Sequence, residues 1–100
     1  MALQKSFENA SGNQGDHWEI ASIHINNLDD SLEVRWALFK SSADFSAGKR
    51  RMEETKSIII EPLPASMNGL ITSIVASSKI TPATDQLPTD TPFFDGATNV

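Results

Sequence analysis

His17-Trp18-Glu19-Ile20-Ala21-Ser22-Ile23-His24-Ile25-Asn26 and Leu32-Glu33-Val34-Arg35-Trp36-Ala37-Leu38-Phe39-Lys40 decide the fold, with Asn27-Leu28-Asp29-Asp30-Ser31 between them. Both flanks are rich in strand formers, and the second alternates apolar and polar residues over its first half. The linker is turn chemistry, because short Asn and Asp side chains bond nearby backbone. The stretch predicts an antiparallel hairpin over 17–26 and 32–40.

A strand slipped by one residue turns every side chain to the other face, so only one parity sets apolar against apolar. With Leu32, Val34, Trp36 and Leu38 inward, the expected partners are Ile25 for Val34, Ile23 for Trp36, Ala21 for Leu38 and Glu19 for Lys40. The opposite face then pairs His24 with Arg35 and Asn26 with Glu33, and places His17 and His24 on different faces. Towards the open end this outer face becomes apolar, with Ile20 beside Phe39 and with Trp18 and Ala37 close by. A hairpin apolar on both faces needs two covers, from its own helix or from another molecule.

Outward from the hairpin, Ser41 or Ser42 can cap a short helix anchored by Phe45, with Asp44 in its first turn and Gly48 in the left-handed position after it. Ile58-Ile59-Ile60 is a β-branched triplet suited to a third strand over 57–61, ended by Pro62 and Pro64. Pro64 also fits the first position of a second helix, and Met67, Leu70, Ile71, Ile74 and Val75 share one helical face. The β-branched Ile71, Thr72, Ile74 and Val75 keep a fourth strand open as the alternative over 67–76. The fold class is therefore α+β: a small antiparallel sheet, one short and one longer helix, and extended terminal arms. Residues 1–16 read as a polar N-terminal arm and residues 17–80 as the domain. Residues 81–100, with three of the five prolines, read as an extended C-terminal arm.

The chain of 100 residues has the size of one small domain. Its net charge of -5 argues against nucleic acid, whose phosphates call for a basic surface. Residues 40–56 alone carry net positive charge, with Lys40, Lys49, Arg50, Arg51 and Lys56 diluted by Asp44, Glu53 and Glu54. That block reads as a solvated face or as a surface for an acidic protein. With no cysteine, disulfides, thiolate chemistry and cysteine-ligated zinc drop out. Residues after Met1 show no apolar leader core, and the longest apolar run, Trp36–Phe39, is too short for a bilayer. The expectation is a soluble protein with no membrane partner.

Chemistry is sparse. His17 and His24 are the only imidazoles, Asp29-Asp30 lacks the glycine and alternation of a calcium loop, and Gly48-Lys49 lacks the rest of a phosphate loop. No catalytic residue, cofactor, metal or small-molecule substrate is assigned. Aromatic residues point instead to contacts. Trp36 belongs to the core by alternation, Trp18 stands on the outer face, and Phe93-Phe94 at the end of the proline-rich arm would fold back or anchor in a neighbour. The candidate interface is Trp18, Ile20, Phe39, Arg50, Arg51, Phe93 and Phe94.

The order of these features resembles short proteins of tailed-phage structural modules, from the tail and baseplate region. The likeness lies in a strand with Trp18, the Asp29-Asp30 turn, a strand ending Trp36-Ala37-Leu38-Phe39-Lys40, the Ala43…Ala47-Gly48-Lys49 helix and the ending Phe94-Asp95-Gly96-Ala97-Thr98-Asn99-Val100. It covers roughly residues 18–49 and the last seven. Pro82, Pro88 and Pro92 stand where those proteins carry a longer helix. The resemblance implies a non-enzymatic virion component, made and assembled in the host cytoplasm, whose partners are other virion proteins and copies of itself. Alternatives are a capsid decoration protein, or a small acidic module that binds and regulates a host protein. A small hydrolase resting on His17 and His24 is the remaining class.

Overall fold

A computed structural model describes residues 2–9, 11–63 and 69–100. The hairpin forms, as β2 (Gln14–Asn26) and β3 (Ser31–Phe39). β1 (Ala2–Glu8) pairs antiparallel with β2, and β4 (Thr55–Ile60) pairs antiparallel with β3. β5 (Thr98–Asn99) closes the other side of β1, giving the order β4-β3-β2-β1-β5. The described residues also form two helices, α1 (Ser42–Ser46) and α2 (Leu70–Ile80). The chain is thus a small α+β protein on an antiparallel sheet, and the segment after Gly69 is helix rather than a fourth strand. Pro64 and Met67, expected to start that helix and to line its face, lie outside the described residues.

The hairpin register differs from the expected one in two ways. Near the turn it is offset by two residues, so Ile25 faces Leu32, Ile23 faces Val34, His24 faces Glu33 and Asn26 faces Ser31. Further along, the pairing shifts between Ile20 and Ser22, so that Ala21 is an extra residue in β2. Such a bulge reverses parity beyond it. Ile20 now faces Trp36 and Trp18 faces Leu38, on the inner face, where Trp18 is 0% exposed. The expected outer-face position of Trp18 and Ile20 is corrected accordingly. The same bulge brings His17, opposite Phe39, onto the same outer face as His24.

The inner face is the core. Leu3, Trp18, Leu32, Val34, Trp36, Leu38 and Ile58 from the sheet pack against Ile74 and Val75 of α2 and against Phe94. Burying each such side chain contributes about 1.5–3 kcal/mol. The indole of Trp36 donates to Ser78 Oγ at 3.1 Å, which pairs it with the buried hydroxyl of α2. On the outer face, α1 is capped by Ser41, whose Oγ accepts from the Asp44 amide at 3.1 Å, and Gly48 takes a left-handed φ of 72° after it. Phe45 of α1 stacks on Phe39 (4.9 Å between centroids) and on His17 (5.3 Å), so the base of the outer face is covered from within the chain.

Neither terminal segment is an arm. Within 1–16, β1 adds a strand and buries Ala2 and Leu3. Within 81–100 the prolines punctuate a course tied together by Gln86. Its Oε1 accepts from the amides of Ala83 and Phe93, and its Nε2 donates to Thr91 O, each at 2.9 Å. That course delivers Phe94 between Trp18 and Trp36, 5.4 Å from each ring. Lys56 secures it further: its Nζ lies 4.8 Å from the Phe93 ring centroid and 2.8 Å from Asp85 Oδ2. The Lys56 hydrogen bond, helped by its charge, holds the Asp85 carboxyl below its ordinary value despite some desolvation.

Candidate interaction surface

The sequence-predicted interface residues do not gather on one surface. Trp18 and Phe94 are 0% exposed and unavailable to any partner of the folded chain. Phe93 is half-buried, edge-on to Trp18 at 5.3 Å, and Ile20 is half-buried against the core. Phe39 is half-buried under Phe45. Only Arg50 and Arg51 are open to solvent. Arg51 lines a cleft of about 640 Å³ together with Lys40, Glu53, Glu54, Asn9 and Asn13. Asn9 Nδ2 donates to Glu54 Oε1 at 2.7 Å across it. Two cations and two carboxylates line it, so their formal charges cancel.

His17 and His24 do not make a site either. The Nε2–H of His17 donates to Glu19 Oε2 at 2.6 Å, and the ring is 6% exposed between Phe39 and Phe45. His24 is exposed on the same face, about 20 Å further along the strand at ordinary strand rise. Among the described residues no group of three His, Asp or Glu side chains comes together.

What the structure does expose is the far half of β2. β1 pairs with β2 only as far as Glu19, whose partner is Ala2. From Ile20 to Asn26 the β1-side edge of β2 has no strand beside it among the described residues. On its other side Ser22–Asn26 pair without interruption with Ser31–Arg35 of β3, so beyond the Ala21 bulge this half presents alternate N–H and C=O groups outward. The inner-face side chains fade from core to surface along it. Ile23 packs against the core, whereas Ile25 is 39% exposed.

Beyond Asn26 the turn is built rather than loose. Asn26 Oδ1 accepts from the amides of Leu28 (3.1 Å) and Asp29 (3.2 Å), and its Nδ2 donates to Asp29 Oδ2 at 2.8 Å. Asp30 closes the turn in the left-handed region with φ 51°, and its backbone oxygen accepts from the Leu63 amide at 3.1 Å. The result holds Leu28 98% exposed at the tip. Sequence reading passed over this region because the turn looked merely polar. Two signals were there: an apolar Leu28 inside a turn of Asn and Asp, and a β2 with no charged residue from Ile20 to Asn26.

No family model, no curated protein and no solved structure matches this chain.

Proposed function

We propose that this chain is a non-enzymatic structural protein of a phage virion, a tail, baseplate or adaptor subunit that binds neighbouring virion proteins. The observation that carries the binding part is the β2 edge from Ile20 to Asn26, which has no strand beside it among the described residues, together with the solvent-held Leu28 at the turn beyond it. A monomer gains nothing from keeping an uncharged strand edge and a fully exposed leucine side by side, whereas a subunit completed by its neighbour does. The virion part is supported by the resemblance over residues 18–49 and the last seven. The contact surface is this edge rather than the terminal segments, since those are folded into the sheet and core.

The test is mass spectrometry of particles purified from a culture that makes the chain. The expected result is the chain in a fixed ratio to the other particle proteins, retained through density-gradient purification. Its confinement to the soluble fraction, bound to a single host protein, would overturn the virion reading in favour of a regulatory module.

A further inference from the structure

We infer that the open β2 edge receives the same edge of a second copy, the two β2 strands running antiparallel about a two-fold axis at His24. This rests on reading the chain as an interaction subunit and specifies what it binds. The first ground is the contrast with the outer edges of the sheet. At the β4 edge the Thr84 amide donates to Ser57 O at 2.9 Å, and the Lys56–Asp85 pair holds that segment in place. At the β1 edge β5 pairs with Leu3 and Gln4, and the charged Lys5 and Glu8 mark the rest. Coverings and charges of this kind keep other strands from adding. Ser22–Asn26 holds no Lys, Arg, Asp, Glu or Pro, and no strand lies on its β1 side among the described residues. Its free main-chain groups can add a strand, the mode in which backbone hydrogen bonds supply affinity.

The second ground is the pattern of that segment. Ser22–Asn26 is the regularly paired part of the edge beyond the Ala21 bulge, and His24 is its middle residue. Outward from His24 in either direction come an isoleucine and then a polar residue. An antiparallel pair about His24 therefore sets Ile23 of each copy opposite Ile25 of the other on the inner face. On the outer face it sets Ser22 opposite Asn26 and His24 opposite His24. Matched side chains directly opposed on one face are what stabilise a strand pair. Neither the bulge nor the turn enters this register. An axis at Ile23 would set Ile25 against the extra residue Ala21, where the ladder is interrupted, and an axis at Ile25 would pair only His24–Asn26.

The third ground selects a copy over a foreign strand. A foreign strand, once added, presents an open edge of its own, whereas two copies about a two-fold axis consume both open edges and close the assembly. The product is one continuous sheet with both inner faces on the same side. Ile25, 39% exposed, then lies beside Ile23 of the other copy, and Leu28, 98% exposed just beyond Asn26, is brought alongside that copy. On the outer face Glu33, the β3 partner of His24, flanks the two imidazoles on either side. The seam opposes no carboxylate to a carboxylate. Repulsion between two chains of -5 is screened beyond about 8 Å at physiological salt. An edge of five residues is small beside a standard interface, so the pair is weak, with a Kd of about 10–100 µM.

The experiment is sedimentation equilibrium of the full chain up to about 1 mM, ten times the upper end of that Kd range, with hydrogen exchange at low and high concentration. The expected result is a monomer–dimer equilibrium, with slower exchange among the Ser22–Asn26 amides at high concentration. His24→Lys and His24→Glu each set like charges across the axis. Because His24 is exposed, each should weaken self-association about tenfold or more at a melting temperature close to that of the parent. An equimolar mixture of the two sets Lys opposite Glu and should associate at least as well as the parent, a rescue specific to copies paired about His24. A parent still monomeric at about 1 mM overturns the inference, and so does a dimer with unchanged exchange at Ser22–Asn26. A mixture no better associated than either variant alone also overturns it. A monomer whose Ser22–Asn26 amides are protected only inside particles overturns it in favour of another protein's strand. The two conclusions fail separately. Presence in particles without self-association leaves the virion reading without this seam, and a dimer through this seam that never enters particles leaves the seam without the virion.

Discussion

The two halves of the β2–β3 hairpin share a strand pair but are finished in opposite ways. At the base, both faces are closed from within the chain. Phe94 fills the space between Trp18 and Trp36 on the inner face, and Phe45 lies on His17 and Phe39 outside. At the far half, the inner face of β2 thins to a part-exposed Ile25, the β1 side has no strand among the described residues, and Leu28 stands in solvent. The extra residue Ala21 separates the two. Beyond it the core continues under Leu32, Val34 and Ile58, while β2 itself opens to solvent.

Deleting Ala21 attacks that division most directly. Without the bulge, β2 must either expose Trp18 and Ile20 or turn Ile23 and Ile25 to the outer face. The first forfeits the burial of Trp18 and Ile20, about 1.5–3 kcal/mol each and a large share of the stability of a chain this size. The second gives up the half-buried Ile23 and the part-exposed Ile25. The expected outcome is a thermal transition in circular dichroism lowered by about ten degrees or more, as roughly 3 kcal/mol or more implies for a chain of this size. A deletion variant melting within a few degrees of the parent would show that the bulge does not set the division.

Phe94→Ala has the next largest expected effect. Its ring is 0% exposed and is flanked by both tryptophans, so truncation should cost about 3–5 kcal/mol in urea unfolding. A loss below about 1 kcal/mol would mean that residues 81–97 are a detachable cover instead of part of the core. Smaller again is the latch of that segment. Asp85 is depressed below its ordinary value of 3.8 by Lys56, so its contribution is fully present above that value and is lost as pH falls through the depressed one. Because the carboxylate is 61% exposed, solvent screening holds the contribution below about 1 kcal/mol. Asp85→Asn should therefore lower stability slightly at neutral pH, with the difference from the parent vanishing in acid. A difference that widens in acid would contradict the assigned pairing.

How much of this was legible in the sequence follows the same division. The hairpin, the β-branched third strand, the capped α1 and the amphipathic α2 all announce themselves by local pattern, and local pattern is what a single sequence carries. The bulge was legible too, but as a change of phase. Apolar residues fall at 18 and 20, then at 23 and 25, so a spacing of two is broken once by a spacing of three. Reading one uninterrupted parity placed Trp18 outside and took it for an interface. The terminal segments were missed for a different reason. Leu3 and the Phe93-Phe94 pair stand in otherwise polar segments, and contacts with the two tryptophans, distant in sequence, decide that they fold inward. The open edge could not be seen because it depends on where β1 stops along β2, which pairing alone decides.

Leu28→Ala has the smallest expected effect on stability and the sharpest bearing on the comparison. The Leu28 side chain is 98% exposed, and the turn beneath it is held by Asn26 through the Leu28 and Asp29 amides, which alanine preserves. Unfolding should therefore change by no more than about 0.5 kcal/mol, as for an exposed substitution with no structural partner. If the far half of the hairpin is finished by a neighbour, the same change should weaken that contact by the loss of a buried leucine, about 1.5–3 kcal/mol, or roughly tenfold to a hundredfold in affinity. Competition between parent and variant chains for incorporation into particles measures this without the partner being known in advance. Parent and variant entering equally, at equal stability, would leave Leu28 without a role in binding and confine the contact to the strand edge.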